Sequence, residues 1–149
     1  MERITPARAA ELLQEGFSFL DVRTVEEFEA GHVPGAYNVP LMLRGDGGME
    51  PNPEFAAQVA AFFAPEAPLI LGCAAGVRSL KAASLLEGVG YSAIKELKTG
   101  WDGARDAFGR LTAGWYASGL PVEQGPAPGR SWLDAQRLRC PDEIGRAHV

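Results

Sequence analysis

The chain has 149 residues, 46% of them hydrophobic, and 19 acidic against 14 basic side chains give a net charge of −5. That length suits one compact domain with a tail, and the apolar share is enough to bury a core. An acidic balance argues against general nucleic-acid binding, which needs a basic face, and no apolar run approaches the roughly 18 residues of a membrane span.

The opening MERITPARAAELLQEG lacks the apolar core of a signal peptide. The two cysteines, Cys73 and Cys140, are too few for a disulfide framework and lie far apart in sequence. Together these features point to a reducing cytoplasm and to free thiols.

In chain order, helix and strand alternate. ITPARAAELLQEG reads as a helix with Thr5 as N-cap, Pro6 at the first position and Ala9, Leu12 and Leu13 as its apolar face. FSFLDV is a short strand ending near Asp21 and Arg23. TVEEFEAG makes one or two helical turns, with Thr24 as cap and Glu27 at the capping-box position. A brief extended segment follows around residues 36–39, and the Gly-rich RGDGGMEPNP reads as a surface stretch. PEFAAQVAAFFA is a helix buried through Phe55, Val59 and Phe62 or Phe63. PLILGC is a strand with no polar alternation, as expected when both faces are covered. RSLKAASLLEGVG is a helix with Leu80, Ala83 and Leu85 or Leu86 turned inward. AIKEL is a further strand and GWDGARDAF a last helix. Strands separated by helices imply an α/β fold: a mainly parallel sheet with helices on both faces.

The stretch CAAGVRS carries the chemistry. Cys73 ends a strand, where ligands of open parallel sheets collect, and the loop after it feeds a helix whose first amides lack intrahelical partners. Loop amides and the helix dipole favour negative charge on the sulfur, and a free thiol near pKa 8.5 is expected to fall by a unit or more there. Gly76 permits the curvature, Ala74 and Ala75 leave the sulfur open, and Arg78 brings a forked cation suited to an oxyanion. A cysteine after an apolar run is more often a small buried hydrophobe, and an isolated arginine more often a solvated helix residue. The spacing C-x-x-G-x-R at a strand-to-helix junction shifts that balance.

Two distant segments resemble the rhodanese family of sulfurtransferases. FLDVRTVEEFEAGHVPGAYNVPL (19–41) is similar to its amino-terminal signature, and LILGCAAGVRSLKAASLLEGVGY (69–91) to its active-site strand, loop and helix. The segment LKTGWDGARDAF and the later WYASGLPVE resemble the family's carboxyl end, with Thr99 where a glycine commonly precedes the Gly-Trp pair. The likeness covers about residues 2 to 123, taken as a domain over 1–123. It implies a rhodanese-like fold and sulfane-sulfur transfer. Cys73 would take sulfur from a donor such as thiosulfate and pass it, as a persulfide, to cyanide or a thiol. Backbone amides from Ala74 through Ala75, Gly76 and Val77 to Arg78 would hold the transferred sulfur, with no metal or cofactor. Asp21, Arg23 and His32 belong to the matched signature and are expected to support structure, and Trp101 to wall the pocket or core. A related fold hosts cysteine phosphatases and arsenate reductases with H-C-x-x-x-x-x-R. Here Gly72 stands in place of that histidine and four residues separate Cys73 from Arg78, a loop better suited to sulfur. A non-catalytic rhodanese-like binding module is the remaining alternative.

Residues 124–131, QGPAPGRS, read as a Pro/Gly-rich linker. LDAQRLRCP beyond it resembles the opening of the TusA-like sulfur carriers, through Leu133, Asp134, Leu138, Cys140 and Pro141. That implies a truncated carrier start over 132–142, with Cys140 receiving sulfur from Cys73. Arg137 replaces the carriers' usual glycine. The closing IGRAHV reads as translated sequencing-library adapter, so 143–149 are set aside as non-native. A tail from Trp132 onward is too short to bury a core and is expected to be mobile or loosely docked.

Overall fold

A computed structural model describes residues 1–139. The elements are β1 (Glu2–Ile4), α1 (Pro6–Gln14), β2 (Ser18–Asp21), α2 (Val25–Ala30), β3 (Tyr37–Asn38), β4 (Met42–Gly45), β5 (Gly48–Pro51), α3 (Phe55–Phe62), β6 (Leu69–Gly72), α4 (Arg78–Gly88), β7 (Ile94–Leu97), β8 (Ala104–Arg105), β9 (Leu111–Thr112), a 3-10 turn (Tyr116–Ser118) and α5 (Trp132–Arg139).

Local chemistry sets the helix starts. The Thr5 hydroxyl accepts the Arg8 N–H at 3.2 Å ahead of Pro6, and Thr24 and Glu27 close a reciprocal capping box on α2. Five strands pair in the order β1-β7-β6-β2-β3, all parallel, with β6 at the centre. The chain leaves β2 for β3 on one side and β6 for β7 on the other. The loops past Asp21 and Gly72 therefore diverge, and parallel sheets open their ligand crevice at that kind of junction.

Alternation along the strands builds two cores. Leu20, Leu69 and Leu71 pack with Phe55 and Val59 of α3 and Ala82, Ala83 and Leu86 of α4. On the opposite face Phe19, Ile70 and Leu97 pack with Ala9 and Leu12 of α1 and Phe28 of α2. Each large side chain fully buried this way contributes about 1.5–3 kcal/mol. Helices thus cover both faces of a parallel sheet, as the α/β pattern predicts.

Two expectations fail, and two further features were not foreseen. Residues 100–108 form no helix; β8 and β9 make a hairpin instead. Asp106 explains this: its carboxylate accepts the N–H groups of Phe108 and Arg110, offering the backbone a turn in place of helical bonds. The Gly-rich surface stretch is largely exposed, as expected, and forms the β4-β5 hairpin, turned at Asp46 and Gly47. The inward row of α4 is Ser79, Ala82, Ala83 and Leu86, leaving Leu80 and Leu85 exposed. A polar residue starts that row, which disguised its phase. Edge strand β1, three residues long, has no sequence signal of its own.

Beyond Glu123 the chain returns to the body. The Gly125 N–H donates to Glu29 O at 2.9 Å, the Asn38 N–H donates to Arg130 O at 2.8 Å, and Ala127 is buried. Ser131 and Asp134 cap α5 reciprocally, Ala135 is fully buried, and Trp132 packs against the core that α3 lines. The expected loose tail is therefore docked over residues 132–139. Cys140, Pro141 and the segment 143–149 lie outside the described residues.

Candidate active site

β6 delivers Cys73 just past its last strand residue, and the alternation Leu69, Leu71, Cys73 turns the thiol to the α4 face, where it is 2% exposed. Gly76 sits at φ +84°, and a Cβ there would collide with the Lys98 carbonyl oxygen. Its N–H donates to Cys73 Sγ at 3.2 Å. Gly100, at φ +62°, is pressed equally hard: a Cβ would lie 2.5 Å from the Cys73 carbonyl oxygen. The Cys73 and Ala74 carbonyls accept from Trp101 and Asp102 at 2.7 and 2.8 Å, tying the loop to the turn after β7. Ala75 and Val77 stand exposed at the rim, and Ala74 is half-buried.

Arg78 opens α4 but turns to α2. Its Nη1 and Nη2 donate to the two carboxylate oxygens of Glu27 at 2.7 and 2.9 Å. Burial pushes the Glu27 carboxyl up, but hydrogen bonds from Arg78 and Thr24 outweigh it and hold the group at about 2. Those bonds likewise raise the Arg78 guanidinium against its burial. Arg78 thus clamps the loop's far end to α2.

Behind the sulfur lies a second set of groups. The Cys73 thiol donates to Ser79 Oγ at 3.3 Å, and Ser79 donates to Glu96 Oε2 at 2.5 Å. Glu96, fully buried on β7, takes Arg3 Nε on its other oxygen, while Arg3 Nη2 reaches the Gly76 carbonyl at 3.0 Å.

Asp21 and Arg23, both buried, pair through Nε and Nη2, and Nη2 also donates to Gly31 O at 2.7 Å. The guanidinium lies 4.9 Å over the Trp101 ring, which itself presses on Gly31. His32 is fully buried, stacked on Phe28 at 3.7 Å. Its Nδ1 meets Phe28 O and its Nε2 meets Glu123. Neither Arg23 nor His32 bonds to the sulfur; they fasten the α2 end and the returning chain. The Thr99 side chain is buried, its hydroxyl without a hydrogen-bond partner among the described residues.

A cavity of about 760 Å³ adjoins the outer side of the loop, lined by Ala75, Gly76 and Val77 and by Arg3, Lys81 and Lys98. Cys73 does not line it, so the cavity lies beside the sulfur site. No cluster able to hold a metal ion occurs among the described residues.

Ser79, Glu96 and Arg3 are the residues that sequence reasoning passed over, and Glu27 is legible in the sequence only as a helix cap, not as the partner of Arg78. Signals existed for two. Glu96 is a charge within the buried strand IKEL, and Ser79 occupies the inward row of its helix.

Comparison with known proteins places this geometry. A family model described as "Rhodanese-like domain" matches residues 5–107. The chain is 40% identical over 115 residues to thiosulfate sulfurtransferase 16, chloroplastic, of Arabidopsis thaliana, covering 77% of this chain and 87% of that protein. It is 36% identical over 107 residues to the mitochondrial protein HIGH ARSENIC CONTENT 1 of the same plant, covering 72% of this chain and 63% of that one. Among solved structures, Rv0390 of M. tuberculosis superposes with a TM-score of 0.70 at 28% identity, covering 84% of this chain and 98% of that one. With the fold, the loop and these matches in agreement, the chain belongs to the rhodanese-like domain family.

Proposed function

We propose that this protein is a sulfurtransferase working through a persulfide on Cys73. The observation that carries the reading is a thiol at the carboxyl end of the central strand, with the Gly76 N–H directed at it and α4 starting just beyond. Such a setting favours negative charge on sulfur. The Cys73 thiolate attacks the outer sulfur of thiosulfate, and the donor's S–S bond breaks. Sulfite leaves with the bonding pair and Cys73 keeps the sulfur as a persulfide anion. An acceptor nucleophile, cyanide or a thiolate, then attacks that sulfur and Cys73 departs as thiolate. Atoms and charges balance in each half-reaction, and the two halves share no ternary complex.

The name of the chloroplastic relative supports thiosulfate as donor. Arg78 spends its fork on Glu27, so in this arrangement it supports the loop and does not by itself discriminate thiosulfate from another tetrahedral oxyanion. The name of the arsenic-related protein makes arsenate reduction the second reading to test. Steady-state thiocyanate formation should give parallel double-reciprocal lines as thiosulfate and cyanide are varied, and Cys73→Ser should give none. Intersecting lines, or activity toward arsenate alone, would contradict the proposal.

A further inference from the structure

Five groups close a ring of hydrogen bonds behind the sulfur: Cys73, Ser79, Glu96, Arg3 and Gly76. Sulfur transfer as written above makes no use of Glu96, yet a fully buried carboxylate is costly to keep. We propose that Glu96 is the proton acceptor for Cys73, reached through the Ser79 hydroxyl. The proposal rests on Cys73 being the reacting thiol.

A hydroxyl carries one proton and two lone pairs. While Ser79 gives its proton to Glu96 Oε2, it offers the sulfur only a lone pair, and Cys73 must be the donor, as a thiol. When the S–H bond breaks and that proton passes to Ser79 Oγ, Ser79's own proton passes to Glu96. Ser79 then donates to the thiolate, and the new carboxylic acid donates to Ser79. All donors and acceptors stay paired in both arrangements, which a buried network requires.

Nothing is created or lost: one S–H bond breaks, one O–H bond forms on Glu96, and a single negative charge moves to Sγ. There it meets the Gly76 N–H, the start of α4, and the positive charge of Arg78, which the Glu27 hydrogen bonds and, less strongly, attraction to Cys73 sustain against burial. Arg3 holds the other oxygen of Glu96 throughout. Arg3 from β1 is the cation bonded into the ring, and Arg78 from α4, held by Glu27, is the second cation beside the sulfur; Asp21, at the end of β2, is paired with Arg23. Glu96 does not touch substrate; it acts through Ser79.

A thiol and a carboxylate sharing one proton titrate as a pair. Over the range in which they share it, thiolate content is fixed by the partition between them and not by the solvent. The test is the rate of Cys73 alkylation by iodoacetamide from about pH 5 to 8 in a full chain carrying Cys140→Ser. The parent should show a nearly flat profile. Adding Ser79→Ala or Glu96→Gln should restore a rate falling about tenfold per pH unit on the acid side. A tenfold-per-unit slope already present in the parent overturns the proposal, and so does a flat profile that survives Ser79→Ala. If Glu96→Gln fails to fold by thermal melt, Ser79→Ala decides alone, since it leaves the Glu96–Arg3 pair intact. No sulfur donor enters the assay, so its failure is distinguishable from failure of the sulfurtransferase reading.

Discussion

Glu27 and Arg78 meet through two parallel hydrogen bonds of 2.7 and 2.9 Å, fastening the residue that opens α4 to the first turn of α2. The residue at the capping-box position of one helix therefore also anchors the loop that leads into another. Replacing Glu27 by Gln should weaken both contacts. We expect a loss of about 1 kcal/mol, modest because both side chains keep partial exposure, with a larger fractional loss of sulfur transfer. Urea melts beside thiocyanate assays check this. An unchanged rate would show that the clamp does not serve the loop.

The same pair sets a pH dependence. The Glu27 carboxyl is depressed from 4.5 in the unfolded chain to about 2 in the fold, so its contribution is complete above about 4.5. It is lost as pH falls from 4.5 toward 2, where the native carboxylate finally protonates. Denaturant melts of the protein and of Glu27→Gln should differ at neutral pH and converge across that window. A gap that stays constant through it would refute the assignment.

Gly100 lies against the backbone of the loop. Gly100→Ala places a methyl 2.5 Å from the Cys73 carbonyl oxygen at a left-handed φ. Strain of about 1–3 kcal/mol should follow, relieved by shifting the loop. Activity should drop by more than about tenfold, since misplacing a reacting group by an ångström costs about that or more. A stable, fully active variant would mean that the close contact is immaterial.

Asp21→Asn leaves the buried Arg23 guanidinium without its counter-charge. Breaking such a pair costs about 3–5 kcal/mol. Replacing both residues by apolar ones should cost less than the single change. Melting curves of the two variants check the order.

Ala135→Asp should undock α5, because it sets a charge on a fully buried position. The expected cost is about 1–2 kcal/mol with Cys73 chemistry preserved. Hydrogen exchange should rise over residues 124–139 alone. Rising exchange in β6 as well would mean that the returning segment and the site form one cooperative unit.

How far these features were legible follows the kind of interaction behind them. Caps and periods are local, so Thr5, Thr24 and the strand LILG announced their elements, and Cys73-x-x-Gly76 announced the loop. The exchange network is not local: Arg3, Ser79 and Glu96 come from three elements and meet only after the sheet orders β1, β7 and β6 side by side. Arg78 illustrates the same limit. Its fork suits an oxyanion, but the fold places Glu27 within reach first. Leu80 misled because a helix face was sought among apolar letters, while the buried row begins with a serine spent on a hydrogen bond. The β8-β9 hairpin was hidden for a further reason, since only the Asp106 side chain betrays the competition between turn and helix.

The most direct measurement is the intact mass of the protein after thiosulfate treatment, beside Cys73→Ser. The protein should gain one sulfur atom, removed by cyanide with thiocyanate formed, and Cys73→Ser should gain none. An unmodified mass on a protein whose Cys73 still alkylates, or a sulfur adduct that persists in Cys73→Ser, would contradict sulfur transfer through Cys73.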